Sequence, residues 1–232
     1  MKLKITFFIL FSLLSFFTHA NVVITGTRVI YPANMKSINV QLTNVSNSPA
    51  LVQAWLDKGE VNSSPNSVKV PFVIAPPVTR VEANAGQTLR ISFTHTETLP
   101  QDRESLFFFN LLDIPPKPSQ AQLAENPNYL QIAIRSRLKF FYRPANLTPG
   151  LNDAYANVQW IAQNGSVKVK NTSPYYITFS GVKIANQRVK GLDLLAPFAE
   201  TQLNAKASKG AKVHWTVVND YGGDQSGESV VQ

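Results

Sequence analysis

Leu130-Gln-Ile-Ala-Ile-Arg-Ser-Arg-Leu-Lys-Phe-Phe-Tyr-Arg-Pro144 decides how the rest of the chain is read. Its even positions are Leu130, Ile132, Ile134, Ser136, Leu138, Phe140 and Tyr142. Its odd positions are Gln131, Ala133, Arg135, Arg137, Lys139, Phe141 and Arg143. One set is almost wholly apolar and the other mostly cationic. Successive side chains point to opposite faces of a strand, so the pattern predicts one long strand over 130–143. Such a strand either buries its apolar face permanently or offers it to a partner.

Strand signals continue on both sides. Val22-Val-Ile24, Arg28-Val-Ile-Tyr31, Ser37 to Leu42, Leu51 to Leu56, Phe72-Val-Ile74, Thr88 to Phe93 and Leu106 to Leu112 are β-branched, aromatic or alternating. Turn residues such as Asn47-Ser-Pro49 punctuate them. The nearest thing to a helix is a short piece at Ser119 to Glu125. After Arg143-Pro144, Leu147-Thr-Pro-Gly150 reads as a linker. A second set of strands follows: Val158-Gln-Trp160, Ser166 to Lys170, Tyr175 to Phe179 and Lys212 to Val218. Many short strands without sustained helical periodicity predict an all-β protein. Two immunoglobulin-like sandwiches of about 100 residues each suit the length better than one barrel. The expected division is 21–145 and 146–232.

Residues 1–20 read as a secretory leader. Lys2 and Lys4 precede an apolar run from Ile5 to Phe17, and Thr18-His-Ala20 ends in a small residue suited to cleavage after Ala20. The run is short for a membrane span, which needs about 20 apolar residues. The expected product is therefore exported without membrane insertion. The leader holds two of the 22 basic residues and none of the 14 acidic ones, leaving 20 against 14 and a net charge of +6. The basic residues are scattered, which argues for a solvated surface and not for nucleic acid. The chain has no cysteine. Its domains must hold together by their cores alone, and thiol nucleophiles and zinc–thiolate sites are excluded.

Catalytic chemistry has little to stand on. Beyond the leader only His95 and His214 remain, and neither has a nucleophile or metal partner at motif spacing. No glycine loop suits a phosphate, Gly222-Gly223 reading as a turn. The chain is expected to be a binding protein without cofactor, not an enzyme. Charges set into apolar strands stand out: Arg28, Glu104, Lys139, Arg143 and Asp220. Each lies on a solvated face or is paired, because an unpaired buried charge is costly. Two cations, Arg28 and Lys139, could also converge on a carboxylate.

These residues resemble the periplasmic pilus-assembly chaperones, the PapD-like proteins, along nearly the whole chain. Gly26-Thr-Arg-Val-Ile-Tyr31 is similar to their first strand, and Gln53-Ala-Trp-Leu-Asp57 and Phe72-Val-Ile-Ala-Pro-Pro-Val-Thr-Arg80 to their early core and paired-proline segments. The stretch Leu99 to Pro115 fits the family signature, and 130–144 resembles the G1 strand with its Tyr-Arg-Pro end. Asn171 to Ser180 and Asn219-Asp-Tyr-Gly-Gly223 match in the second half. The resemblance implies two sandwiches at an angle around a cleft. It implies that Arg28 and Lys139 anchor the C-terminal carboxylate of a pilus subunit. It implies that Leu130, Ile132 and Ile134 fill a groove where the subunit lacks a strand. Chaperone–pilin complexes are a known case of such strand addition. It also implies that Glu104, Arg143 and Asp220 form an ion-pair network joining the domains, and that subunits pass to an outer-membrane usher. The short segment 117–129 implies the class serving rod-like pili.

Lys139 is odd in phase whereas Leu130, Ile132 and Ile134 are even, so a regular strand points them to opposite faces. A bulge, a strong twist or a cation reaching around the edge would bring them to one side. An exposed apolar edge is also an association hazard, and dimerisation between clients is one means of capping it. The rival reading is an exported immunoglobulin-like adhesin or pilus subunit. The lack of cysteine and a C-terminus, Gly227-Glu-Ser-Val-Val-Gln232, without apolar alternation disfavour it.

Overall fold

The computed structural model describes residues 22–65, 67–125 and 128–232, and the structural statements below concern these. The leader expected in residues 1–20 lies outside the described residues.

The first half is a sandwich of two sheets. One sheet runs β1 (Val22–Ile24), β3 (Ser37–Asn44), β7 (Gly86–Phe93), β5 (Phe72–Ala75), each pair antiparallel. The other runs β2 (Arg28–Pro32), β9 (Ile134–Arg143), β8 (Ser105–Ile114), β4 (Ala50–Asp57), β6 (Val78–Val81). Within it β2 and β9 are parallel, with Arg28 opposite Lys139 and Pro32 opposite Arg143. The alternation expected of β3 is observed: Val40 and Leu42 are buried between exposed Asn39, Gln41 and Thr43. Tyr31, Phe72, Phe107, Phe140 and Tyr142 gather in an aromatic cluster at ring separations of 5.0–6.3 Å. The even face of β9 thus ends in the core. A short helix, α1 (Gln120–Glu125), lies between β8 and β9.

The second half has its own core around Trp160, Val167, Val169, Ile177, Val213 and Val217. Helix α2 (Leu151–Ala156) leads in, buries Ala154 and Tyr155, and falls where no helix was expected. One sheet is β10 (Gln159–Gln163), β11 (Ser166–Lys170), β15 (Glu200–Leu203). The other is β13 (Gln187–Arg188), β12 (Ile177–Ile184), β16 (Lys212–Val218), β17 (Asp224–Val230), with β14 (Leu194–Leu195) also on β12. Strand β17 escaped a reading by apolar alternation because it is a polar edge strand. Its middle is Gly227 because the Trp215 indole on the facing strand lies where a Cβ would stand.

The two sandwiches repeat one corner that the sequence pattern did not reveal. Buried Asn44 donates from Nδ2 to the carbonyls of Ser48 and Val81, while its Oδ1 accepts from the backbone and hydroxyl of Ser46. Buried Asn171 does the same with Tyr175, Ala196 and Ser173. Each carboxamide closes a turn whose buried backbone groups would otherwise lack partners.

Phe140 is fully buried. Phe140→Ala removes a large ring from a close-packed core, and the expected cost is about 3–5 kcal/mol. Urea unfolding followed by tryptophan fluorescence reads Trp55 of the first sandwich together with Trp160 and Trp215 of the second, and the transition of the first sandwich should move to lower urea.

Candidate functional site

Strand β9 has one edge that is only half covered. On one side it pairs with β8 in a single register from Ser105–Tyr142 to Asp113–Ile134, without a bulge. Pairing ends there because β8 runs into Pro115 and Pro116, which have no N–H to give to a ladder. Residues 130–133 therefore precede the ladder unpaired, a correction to the strand expected to start at Leu130. The Gln131 side chain still holds the Pro115 carbonyl at 2.7 Å. On the other side β2 covers β9 only from Lys139 onward. Among the described residues no strand covers that edge of β9 from Ile134 to Leu138.

The continuous register also resolves the phase question. No bulge or twist brings Lys139 beside the apolar residues. The even face carries Tyr142 and Phe140 in the core and emerges at Ile134, Ile132 and Leu130, which are 49%, 61% and 78% exposed. The odd face carries Arg135, Arg137, Lys139, Phe141 and Arg143; Arg135 and Arg137 bond within the first sandwich, and the end of the face at Phe141 and Arg143 meets the second. Phe141, buried, meets the Tyr176 ring of that sandwich at 5.8 Å.

Arg28 and Lys139 stand side by side where the sandwiches meet. Arg28 Nη1 donates to the Val218 carbonyl of the second sandwich at 2.8 Å, and its guanidinium lies 5.9 Å from the centre of the Phe141 ring. Its Nε is buried without a partner. Burial lowers the Arg28 pKa. Burial and the neighbouring Arg28 charge lower that of Lys139, with Asp193 opposing. Among the described residues neither cation has a carboxylate within ion-pair distance. Two half-buried cations without a counter-ion form a site that an arriving carboxylate would relieve of both burial and repulsion.

Arg143, four residues beyond Lys139, is fully engaged. Its Nε donates to Glu104 Oε1 at 2.6 Å, and its Nη1 and Nη2 grip Asp220 at 2.6 and 2.8 Å. Glu104 Oε2 accepts from the Tyr176 N–H at 2.7 Å, and the Glu104 N–H donates to the Pro174 carbonyl. One guanidinium thus joins β9, the loop before β8 and the loop after β16. Burial pushes the Glu104 carboxyl up, while Arg143 and the Tyr176 N–H oppose the rise. Arg143 is held above its ordinary value, because Asp220 and Glu104 outweigh its burial. The three charges expected to meet do meet, across the domain junction.

A second network went unread in the sequence. Asp57, at the end of β4, is completely buried. It accepts from Arg137 Nη2 at 2.6 Å, Ser63 Oγ at 2.7 Å, Asn110 Nδ2 at 2.8 Å and the Gly59 N–H at 2.8 Å. Arg135 Nη2 approaches it at 3.4 Å. The remaining Arg135 donors serve Asn110 Oδ1, Ser63 Oγ and the Val61 carbonyl. Arg135 lies over Trp55 and Arg137 over Phe108, at 4.9 and 3.8 Å. The only sequence signal was Asp57 closing an apolar strand, and nothing in linear order joins it to residues 78 and 80 positions away.

The histidines stand apart from both networks. His214 faces Glu228 across β16–β17 at 3.2 Å, and His95 packs its ring against Phe93 at 4.4 Å. Among the described residues no cluster of histidine, cysteine, aspartate or glutamate could hold a metal ion, and no helix is long and apolar enough to cross a membrane.

Two family models match the chain. Residues 21–148 match the N-terminal domain of PapD, the pili and flagellar-assembly chaperone, and residues 153–229 match the C-terminal domain of the same pili assembly chaperone. The chain is 52% identical to the chaperone protein HifB of Haemophilus influenzae over 95% of its own length and 92% of HifB. It is 42% identical to YadV of Escherichia coli K12, described as a probable fimbrial chaperone, over 90% and 89% of the two chains. Among solved structures, the CupB2 chaperone of Pseudomonas aeruginosa superposes with a TM-score of 0.76 at 34% identity, covering 90% of this chain and all of that one. The SafB chaperone of Salmonella enterica, solved in complex with the SafA pilin, is another match. It gives a TM-score of 0.77 at 28% identity, with 92% and 98% covered.

The Asp57 network makes a pH prediction. Burial pulls the Asp57 carboxyl up, and Arg137, Ser63, Asn110 and the Gly59 N–H together outweigh it and hold it below its ordinary value. A carboxyl lowered on folding contributes stability that is complete above the unfolded value of about 3.9 and is lost as pH falls through the lower folded value. Urea midpoints of the first sandwich should therefore fall as the pH drops below about 4. Asp57→Asn should be less stable at neutral pH and lose that part of the acid slope. An unchanged slope in Asp57→Asn would mean that other carboxylates carry it.

Proposed function

The chain belongs to the PapD-like family of pilus-assembly chaperones, and from that premise we propose that it captures pilus subunits in the periplasm by lending them strand β9. The observation that carries this reading is the uncovered edge of β9 from Ile134 to Leu138 and the unpaired residues before it, displaying Leu130, Ile132 and Ile134. A subunit that lacks a strand would gain backbone hydrogen bonds from that edge and fill its groove with those side chains. Its C-terminal carboxylate would enter between Arg28 and Lys139. The relative SafB is solved with a pilin, which supports a pilus subunit as the partner here.

The two faces of β9 divide the task. The edge supplies the ladder, the even face supplies side chains to the subunit, and the odd face supplies the charge. Glu104, Arg143 and Asp220 hold the domains so that Arg28, bonded to Val218 of the second sandwich, keeps a fixed place beside Lys139. The domains divide at 145/146, and the leader in residues 1–20 is removed after Ala20 on export. The short 117–129 connection fits a client that builds rod-like pili. Release follows at an outer-membrane usher, where the subunit exchanges this strand for one from its neighbour. No bound cofactor or enzymatic step is part of this reading. Between clients the same edge is available for self-capping by a second copy.

Co-expression with the co-encoded subunits followed by pull-down tests the proposal. Arg28→Ala and Lys139→Ala should each abolish subunit stabilisation while the purified chaperone melts as before; full protection by both variants would remove the carboxylate anchor. Ile132→Asp should block capture without unfolding the chaperone, since the residue is exposed. Normal capture by that variant would show that the lent strand lies elsewhere.

A further inference from the structure

Arg135, Arg137 and Lys139 follow at every second residue of β9, about 6.6 Å apart, and Arg143 shares their odd face four residues beyond Lys139. A subunit strand laid along β9 could therefore bring its terminal carboxylate to more than one cation. Alternation does not prevent this. A slip by one residue turns every side chain to the wrong face, but a slip by two restores the faces and only moves each apolar residue one position along. Something other than the apolar pattern has to forbid the two-residue slip from Lys139 to Arg137.

Buried carboxylates distinguish these cations. Arg143 is taken up by Glu104 and Asp220. Arg137 is taken up by Asp57 at 2.6 Å, and Arg135 by Asp57, Asn110, Ser63 and the Val61 carbonyl. One carboxylate against two guanidiniums leaves one positive charge over; the neutral acceptors take the other Arg135 donors, and Arg137, whose Nε is buried without a partner, lies over the Phe108 ring. Of the cations on this face and Arg28 beside them, Lys139 and Arg28 have no carboxylate within ion-pair distance among the described residues. Asp57 lies on β4, two strands away from β9, and reaches the arginines across β8. We propose that Asp57 is a positioning residue for subunit capture: by occupying Arg137 and Arg135 it leaves Lys139 with Arg28 as the anchor, and so sets the register of the subunit strand along β9. The inference rests on the carboxylate-anchor reading above and adds to it a reason for a single register.

The test reads register directly. The chain has no cysteine, so Gln131→Cys supplies one exposed thiol on the lent segment. The probe is a synthetic peptide of a co-encoded subunit's C-terminal strand, with a free α-carboxylate and a single cysteine placed at successive positions. Disulfide trapping should select one peptide position in the otherwise native chain. In Asp57→Asn a second position, two residues along, should trap as well. Lys139→Ala should weaken the free-acid peptide about tenfold to a hundredfold in the native background, and much less in Asp57→Asn. Adding Arg137→Gln to Asp57→Asn removes the competing cation and should restore the single register, which a general loosening of the fold would not do. If Asp57→Asn traps only the original position and keeps full dependence on Lys139, the proposal is overturned while the anchor stands. If Lys139→Ala leaves the affinity of the free-acid peptide unchanged in the native background, the anchor itself is absent and the proposal falls with it.

Discussion

Strand β9 must serve two environments at once, and the period of two in a β-strand is the constraint that makes this workable. Its even side chains run from Phe140 and Tyr142 in the first core to Ile134 in solvent, and the unpaired segment before it exposes Ile132 and Leu130. Its odd side chains run from Arg135 and Arg137, bonded within the first sandwich, to Phe141 and Arg143 at the junction with the second. Because the β8–β9 ladder has no bulge, the two sets never exchange faces. The exposed apolar residues at the start of β9 continue the chaperone's own core face. It emerges where the partner strand ends in Pro115-Pro116 and can no longer supply ladder donors.

The odd face is organised by charge. Carboxylates pair with the two ends of its row of cations, buried Asp57 with Arg135 and Arg137, and buried Glu104 together with Asp220 with Arg143. Removing one partner from a buried pair leaves an uncompensated charge and costs about 3–5 kcal/mol. The end networks are therefore stable fixtures. The middle of the row is left without a counter-ion, and a backbone carbonyl across the domain junction holds Arg28 in position beside Lys139. The domain junction and the unpaired cations are thus contiguous: Arg143 bridges the sandwiches through Asp220, and Arg28 bonds across the same junction beside Lys139.

Much of this was legible in linear order because it depends on local alternation. The strands at Ser37–Asn44, Ser166–Lys170 and Lys212–Val218 alternate visibly, and so does the run that ends at Arg143. What alternation misses is what other rules decide. The start of β9 is set by prolines on another strand. Strand β17 is hidden because Gly227 makes room for Trp215 and cannot itself be large or apolar. Helix α2 is too short to show periodicity, and it is held by burying Ala154 and Tyr155.

The sequence by itself determined the all-β class, the division into two sandwiches, the two faces of β9 and, through resemblance, the grouping of Arg28 with Lys139 and of Glu104 with Arg143 and Asp220. Those features lie in the order and spacing of residues along one strand, or in motifs that keep their order along the chain. Only the tertiary structure decided which cations are free. Whether an arginine is available depends on a carboxylate that may be 80 positions distant, and Coulomb attraction acts through space without regard to the path of the chain. Asp57 looked like the polar end of a strand. Folding places it under two arginines of β9, where it becomes the counter-ion that leaves Lys139 bare.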